Sequence, residues 1–162
     1  MIFVVLGTQK FQLNRLLKQL DEEMEAGMIS EEVFAQIGHS DYEPKHYAFE
    51  HFLNQETFEQ AIQRADLIIA HSGVGTIMTA LNAHKPVLVY PRQAKYKEHV
   101  DNHQMDIATA FAKKDYVLCY DETKSLADCI AECRTKKFAE YVSCRSNIVE
   151  QIRGFIASCQ KS

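Results

Sequence analysis

An α/β fold, with a mostly parallel sheet and helices on both faces, is what this sequence predicts. Three observations lead there. Continuous apolar runs occur at Ile2 to Leu6, Leu67 to Ala70 and Val87 to Tyr90, as expected of strands buried on both faces. Between such runs lie segments with apolar residues at helical spacing. Glycines punctuate the turns directly after the strand runs, at Gly7, Gly38 and the 73–75 stretch.

The elements follow in order. Ile2 to Leu6 is the first strand, ended by Gly7-Thr8-Gln9. Leu13, Leu16, Leu17, Leu20 and Met24 mark a helix, with Gly27 as its stop. Val33 to Ile37 reads as a second strand and His46 to Phe52 as a third of alternating character. Thr57 to Arg64 is a helix with Phe58, Ala61 and Ile62 on one face. The strand from Leu67 to Ala70 runs into His71-Ser72-Gly73-Val74-Gly75-Thr76, a turn that opens a helix through His84. Val87 to Tyr90 is a strand stopped by Pro91. A polar loop follows over 91–100, then a helix from Asp101 to Ala112 and a strand from Tyr116 to Cys119. Leu126, Cys129 and Ile130 mark a short helix. Phe138, Tyr141, Val142, Ile148, Ile152 and Phe155 suggest a long helix over 138–156. Strands alternating with helices give a Rossmann-like sheet. In such sheets, ligands bind beyond the carboxyl ends of the strands.

A chain of 162 residues is expected to form a single domain over 1–162, with a helical tail at about 123–160. Its 46% hydrophobic and 25% charged residues are ordinary for a globular protein. A formal charge of −4 argues against nucleic acid as a partner. The five cysteines include no CxxC pair, which points to reduced thiols rather than a disulfide framework or zinc site. The opening apolar run is too short for a signal peptide or a membrane span. The expected location is therefore cytoplasmic, with membrane contact only through a partner.

Three loop segments could carry chemistry. Gly7, Thr8 and Gln9 follow the first strand, where a glycine lets backbone N–H groups approach an anion. A strand-to-helix turn that merely needs glycine would read the same way. His71, Ser72, Gly73, Val74, Gly75 and Thr76 open a helix whose N-terminus suits a diphosphate. The plainer reading is a turn capped by Ser72 or Thr76. The third segment runs from Pro91 to Gln104. Arg92, Lys95 or Lys97 could offset phosphate charge. Asp101 is placed to cap the helix, and Asn102, His103 and Gln104 fall in its first turn, where amides suit sugar hydroxyls. A solvated, charge-rich loop is the alternative there.

The run HSGVGTIMTALNAHKPVLVYPRQAKYKEHVDNHQ resembles the C-terminal half of glycosyltransferase family 28. The likeness is greatest to small subunits of bacterial capsule and exopolysaccharide enzymes. The run is also similar to the catalytic subunit of the eukaryotic dolichol-linked N-acetylglucosaminyltransferase. The resemblance covers roughly residues 1–120 and implies the donor-binding half of a GT-B enzyme, split across two chains. It implies a UDP-sugar as donor substrate, no metal or other cofactor, and a membrane-anchored partner subunit that brings a lipid-linked acceptor to the inner face of the membrane. The product would be a polysaccharide intermediate carrying a hexose or N-acetylhexosamine.

By that pattern the 71–76 turn holds the diphosphate. Asn102, His103 and Gln104 reach the sugar, and the loop around Phe52 and Leu53 presents backbone groups to uracil. The family's ribose-binding glutamate is replaced here by Thr79, which cannot accept two hydroxyls as a carboxylate can. The general base is expected in the acceptor half; Glu98, His99 and His103 are the local candidates. A non-catalytic UDP-sugar sensor or enhancer subunit is the rival reading.

Overall fold

The computed structural model describes residues 1–143. Six parallel strands form one sheet in the order β3-β2-β1-β4-β5-β6. They are β1 (Ile2–Val5), β2 (Val33–Gln36), β3 (Ala48–Glu50), β4 (Leu67–Ala70), β5 (Val87–Val89) and β6 (Leu118–Cys119). The helices are α1 (Asn14–Glu25), α2 (Gln55–Arg64), α3 (Val74–Asn82), α4 (His103–Lys113) and α5 (Leu126–Thr135).

Period-two alternation sends β1 into two cores. Ile2, Val4 and Leu6 pack with Leu13, Leu16, Leu17 and Leu20 of the α1 region and with Cys129 and Ile130 of α5. Phe3 and Val5 face the other way, onto Ala61 and Ile62 of α2, Ile77 and Leu81 of α3, and Ala108 of α4. Central strands covered on both sides need apolar residues at every position, and all four residues of β1 and of β4 are buried. The two layers are also tied by polar groups. The Glu23 carboxylate on α1 accepts the Leu126 and Ala127 amides at 2.8 and 2.7 Å, satisfying the start of α5.

Two expectations fail. The third strand is three residues long rather than seven, because it forms the sheet edge and offers only half-buried or exposed positions. No helix begins at Phe138. The chain leaves α5 extended at Lys136 (φ −68°, ψ 133°), and 136–143 are not helical. Phe138 packs on the α1/α5 core and Tyr141 on the opposite one, edge-on to Tyr116 at 5.3 Å, so they do not share a helical face. The remainder of the expected tail helix lies outside the described residues. Among the described residues, no helix is long and apolar enough to cross a membrane.

The strand order reverses between β1 and β4, each feeding a helix on an opposite face of the sheet. That crevice is where an open α/β sheet leaves room for a ligand.

Candidate functional site

A cleft of about 460 Å³ opens at this reversal point. Its walls come from all three loop segments: Gly7, Thr8 and Gln9 after β1; His71 to Thr76 after β4; and His99, His103, Gln104 and Ile107 around the start of α4. A larger cavity of about 540 Å³ lies at the amino ends of β1 to β3, near Met1, Val33 and Ala48. It has no glycine turn and lies at the wrong end of the strands for a ligand in this fold.

His71 organises the cleft. Its ring is buried, and Nδ1 meets the Val5 carbonyl at 3.1 Å, which fixes the tautomer that donates from Nδ1. A Cβ on Gly7 would stand 2.6 Å from the ring's Cε1, and one on Gly73 2.4 Å from its Nε2. Burial, and then the positive charge of Arg92, push the His71 pKa down to about 4, although the Val5 carbonyl opposes the shift. The ring is therefore neutral near pH 7. Gly7 also has φ +74°, where a side chain would be strained.

Neither Ser72 nor Thr76 caps α3. Ser72 adopts φ 65° and turns its hydroxyl to the Gln104 carbonyl at 2.5 Å, while Gly73 stands at the N-cap without a side-chain bond. Among the described residues, the amides of Val74, Gly75 and Thr76 meet no acceptor. Three free donors thus converge on the cleft at the positive end of a helix dipole, which is a site for an anion.

Gln104 and Arg92 join the segments behind this wall. The Gln104 Oε1 accepts the Arg92 amide at 3.2 Å. Among the described residues its NH₂ has no protein partner and remains available on the cleft wall. The Arg92 guanidinium, 1% exposed, donates to the carbonyls of Leu6, Phe11 and Gln12 at 2.7, 3.0 and 3.2 Å. It is absent from the cleft lining, so the expected direct contact with a phosphate is not what the geometry provides. Among the described residues its Nη1 is buried without a partner, and burial lowers its pKa to about 10 against the opposing field of Glu98. A buried cation behind the β1–α1 loop acts on the cleft through its field.

The three candidate bases separate cleanly. Glu98 is 1% exposed and spent on structure: both oxygens meet Arg15, at 2.9 and 3.0 Å, and one also accepts the Gln93 amide. It does not line the cleft. His103 lines the rim with a side chain 72% exposed, and its ring lies 4.0 Å from the Asp106 carboxylate, too far for a hydrogen bond. His99 is different. Its ring lines the cleft, packs on Phe11 at 4.4 Å between centroids, and holds Nδ1 at 3.0 Å from Asp101 Oδ1. Asp101 thus offers Nδ1 both an acceptor, its carboxylate, and a donor, its backbone amide at 3.4 Å. Asp101 Oδ1 also accepts the His103 amide at 2.9 Å, supplying the expected cap from one residue before the observed N-cap position, Asn102.

Three further expectations shift. The Asn102 side chain is turned away to accept the Ala94 amide at 3.0 Å. The Thr79 hydroxyl bonds the Gly75 carbonyl one turn back at 2.8 Å, and Thr79 does not line the cleft. Phe52 and Leu53 also lie outside the lining; Phe52 is half exposed, edge-on to His39, and the Leu53 amide is engaged by Gln36. Phe11, Asp101 as the partner of His99, and Gly38, whose added Cβ would meet the Gly7 carbonyl at 2.6 Å, were not foreseen as site elements. Sequence spacing carries no signal for the contacts of Phe11 with His99 and of Gly38 with Gly7, which are made across loops.

Comparison with known proteins agrees with this geometry. The profile of the glycosyltransferase family 28 C-terminal domain matches residues 1–156. A UDP-N-acetylglucosamine transferase subunit, ALG13 of Candida albicans, is 35% identical over 69 residues, which is 43% of this chain and 22% of that protein. The match thus spans under a quarter of the relative's length. Among solved structures, the glycosyltransferase of kitacinnamycin superposes with a TM-score of 0.58 at 18% identity, covering 84% of this chain and 35% of that one. The solution structure of ALG13 gives 0.55 at 18% identity, covering 93% of each. These two likenesses concern the fold.

Proposed function

Because the chain belongs to the glycosyltransferase family 28 C-terminal domain family, we propose that it is the donor-binding subunit of a two-component UDP-sugar glycosyltransferase. The observation that carries this reading is the set of amides at Val74, Gly75 and Thr76 on the cleft, which meet no acceptor among the described residues. In this reading the diphosphate of the donor sits against those amides. The field of Arg92 and the α3 dipole stabilise the charge that builds on it as the sugar leaves. No metal or other cofactor takes part. The Gln104 NH₂ and the His103 ring reach the sugar hydroxyls, and uracil lies toward the Phe52–Leu53 loop. Thr79 makes no ribose contact while its hydroxyl is held by Gly75.

The named relatives are N-acetylglucosamine transferase subunits. N-acetylglucosamine is therefore the favoured donor sugar, and the likeness to capsule enzymes rests on sequence motifs alone. The relatives are named as transferase subunits, and in this reading a partner supplies the acceptor half of the site. We place that partner at the cytoplasmic face of the membrane, presenting a lipid-linked acceptor.

The test has two arms. UDP at about 100 times its dissociation constant should stabilise the chain by roughly 2.7 kcal/mol, read as a melting shift. Label from UDP-N-acetylglucosamine should enter the lipid fraction only when membranes from the source cells are added. No shift with millimolar UDP or any UDP-sugar would sink the reading. Binding without transfer in the presence of membranes would favour a non-catalytic sensor.

A further inference from the structure

We propose that Arg92 is a positioning residue of the donor cleft: its guanidinium ties the start of the β1–α1 loop to its end, and so presents Gly7, Thr8 and Gln9 to the diphosphate. The inference rests on the donor-binding reading above and adds to it a residue that touches no substrate.

β1 ends at Val5 and α1 begins at Asn14, so the chain between them lies outside both the sheet ladder and the helix. One nitrogen of Arg92, Nη2, donates to the Leu6 carbonyl at 2.7 Å and to the Phe11 carbonyl at 3.0 Å. Nε adds the Gln12 carbonyl at 3.2 Å. The neck of the loop is thereby closed around one side chain. Gly7, Thr8 and Gln9 lie between the tied points, and all three line the cleft. The Phe11 amide donates to the Gln9 carbonyl at 2.7 Å, which carries the hold into the cleft-lining residues. Among the described residues the amides of Thr8 and Gln9 meet no acceptor. The loop thus offers donors of the same kind as the start of α3, and their aim depends on how the loop is held.

Arg92 is a costly way to fill space. The side chain is buried, and Glu98, the acid whose field acts on it, pairs with Arg15 instead. A cation taken out of water with carbonyls as its partners costs more than an apolar side chain of similar volume. What the guanidinium supplies is a rigid, planar fork of donors; a lysine ammonium is a point charge on a flexible stem. The backbone of the same residue holds the facing wall, since the Arg92 amide donates to Gln104 Oε1 at 3.2 Å. That bond does not involve the side chain, so substitution separates the two roles of the position.

The experiment compares Arg92→Lys, which keeps the charge and loses the fork, with Arg92→Met, which keeps neither. Titration calorimetry with UDP and with UDP-N-acetylglucosamine is run on the full chain at a temperature where each variant is folded. Both variants should bind UDP at least ~10-fold more weakly, because a freed loop must be ordered again on binding. The loss should be equal for UDP-N-acetylglucosamine, since Gln104 keeps its backbone partner. Hydrogen exchange at the Phe11 amide should become at least ~10-fold faster. A merely structural residue would lower the melting temperature and leave the affinity of the folded chain unchanged. Wild-type affinity in Arg92→Lys would overturn the proposal and leave Arg92 only the field of its charge. A loss confined to UDP-N-acetylglucosamine, or unchanged exchange at Phe11, would overturn it too. If neither variant folds, NMR of the wild-type chain decides. The Arg92 guanidinium protons should exchange at least ~100-fold more slowly than those of Arg64, whose side chain is 70% exposed. They should also shift when UDP saturates the chain. Fast exchange, or signals that UDP leaves in place, would overturn the proposal. A wild-type chain that binds no UDP would overturn the donor-binding reading itself, whereas normal wild-type binding with unaffected variants overturns this inference alone.

Discussion

The imidazole of His71 occupies the space that a side chain at Gly73 would need, with Nε2 2.4 Å from an ideal Cβ there. Gly73 itself has φ −76° and ψ 123°, a conformation any residue adopts. Its requirement is steric rather than conformational. The ring cannot retreat, because Val5 holds Nδ1 and Gly7 closes the other side. Gly73→Ala should therefore cost about 1–3 kcal/mol, the usual range for overpacking, measured by urea unfolding. In a His71→Ala background most of that cost should disappear. Equal costs in both backgrounds would show that the ring is not the obstacle.

Burial of His71 also makes a pH prediction. The folded pKa, about 4, lies below the ordinary 6.5. The unfolded chain therefore takes up the proton first as pH falls. The contribution of this group is complete above about pH 6.5 and is lost from there down toward pH 4. A difference of that size corresponds to about 3 kcal/mol. His71→Gln cannot titrate, so its stability should fall less steeply than the wild type's between these limits. Parallel curves would mean that the ring is charged in the fold.

Glu98 should prove to be a stability residue. It joins Arg15 through both oxygens, and Arg15 lies over the rings of Tyr90 and Tyr96 at 4.6 and 4.4 Å. Removing the carboxylate leaves Arg15 without this partner and the Gln93 amide without an acceptor. Breaking a fully buried pair costs ~3–5 kcal/mol; the Arg15 side chain keeps 23% exposure, so about 2 kcal/mol is expected for Glu98→Ala. Calorimetry checks this. A loss of transfer with an unchanged melting temperature would return Glu98 to the chemistry.

These cases show what the sequence could and could not convey. The apolar runs of β1, β4 and β5 and the glycine turns after β1 and β4 are local signals, and the cleft assembles where those two turns meet the start of α4. The edge strand was overextended because alternation at 46–52 does not reveal which strand lacks a neighbour. Phe138 and Tyr141 match a helical stripe by spacing, yet an extended Lys136 sends them to opposite faces of the sheet. Arg92 read as a contact for phosphate and Glu98 as a candidate base. Only the fold shows that one binds three backbone carbonyls and the other binds Arg15. The composition of a charged loop says nothing about which charges are buried.

Gly75 gives the sharpest test of the proposed diphosphate position, because stability and binding should move in opposite directions. It is the second residue of α3, it has no positive φ, and a Cβ placed on it meets nothing within 4 Å. Alanine is the better helix former by up to about 1 kcal/mol, so Gly75→Ala should leave the melting temperature unchanged or raise it. The space it fills is nevertheless on the cleft, between amides that must approach phosphate oxygens to about 2.9 Å. A methyl group there should lower UDP affinity at least tenfold, about 1.4 kcal/mol, and Gly75→Val should lower it further. Titration calorimetry with UDP on the folded variants separates the outcomes. Unchanged affinity would move the diphosphate away from the start of α3, and with it the observation on which the donor-binding reading depends. Loss of stability together with binding would instead mean that glycine is required for the helix to begin.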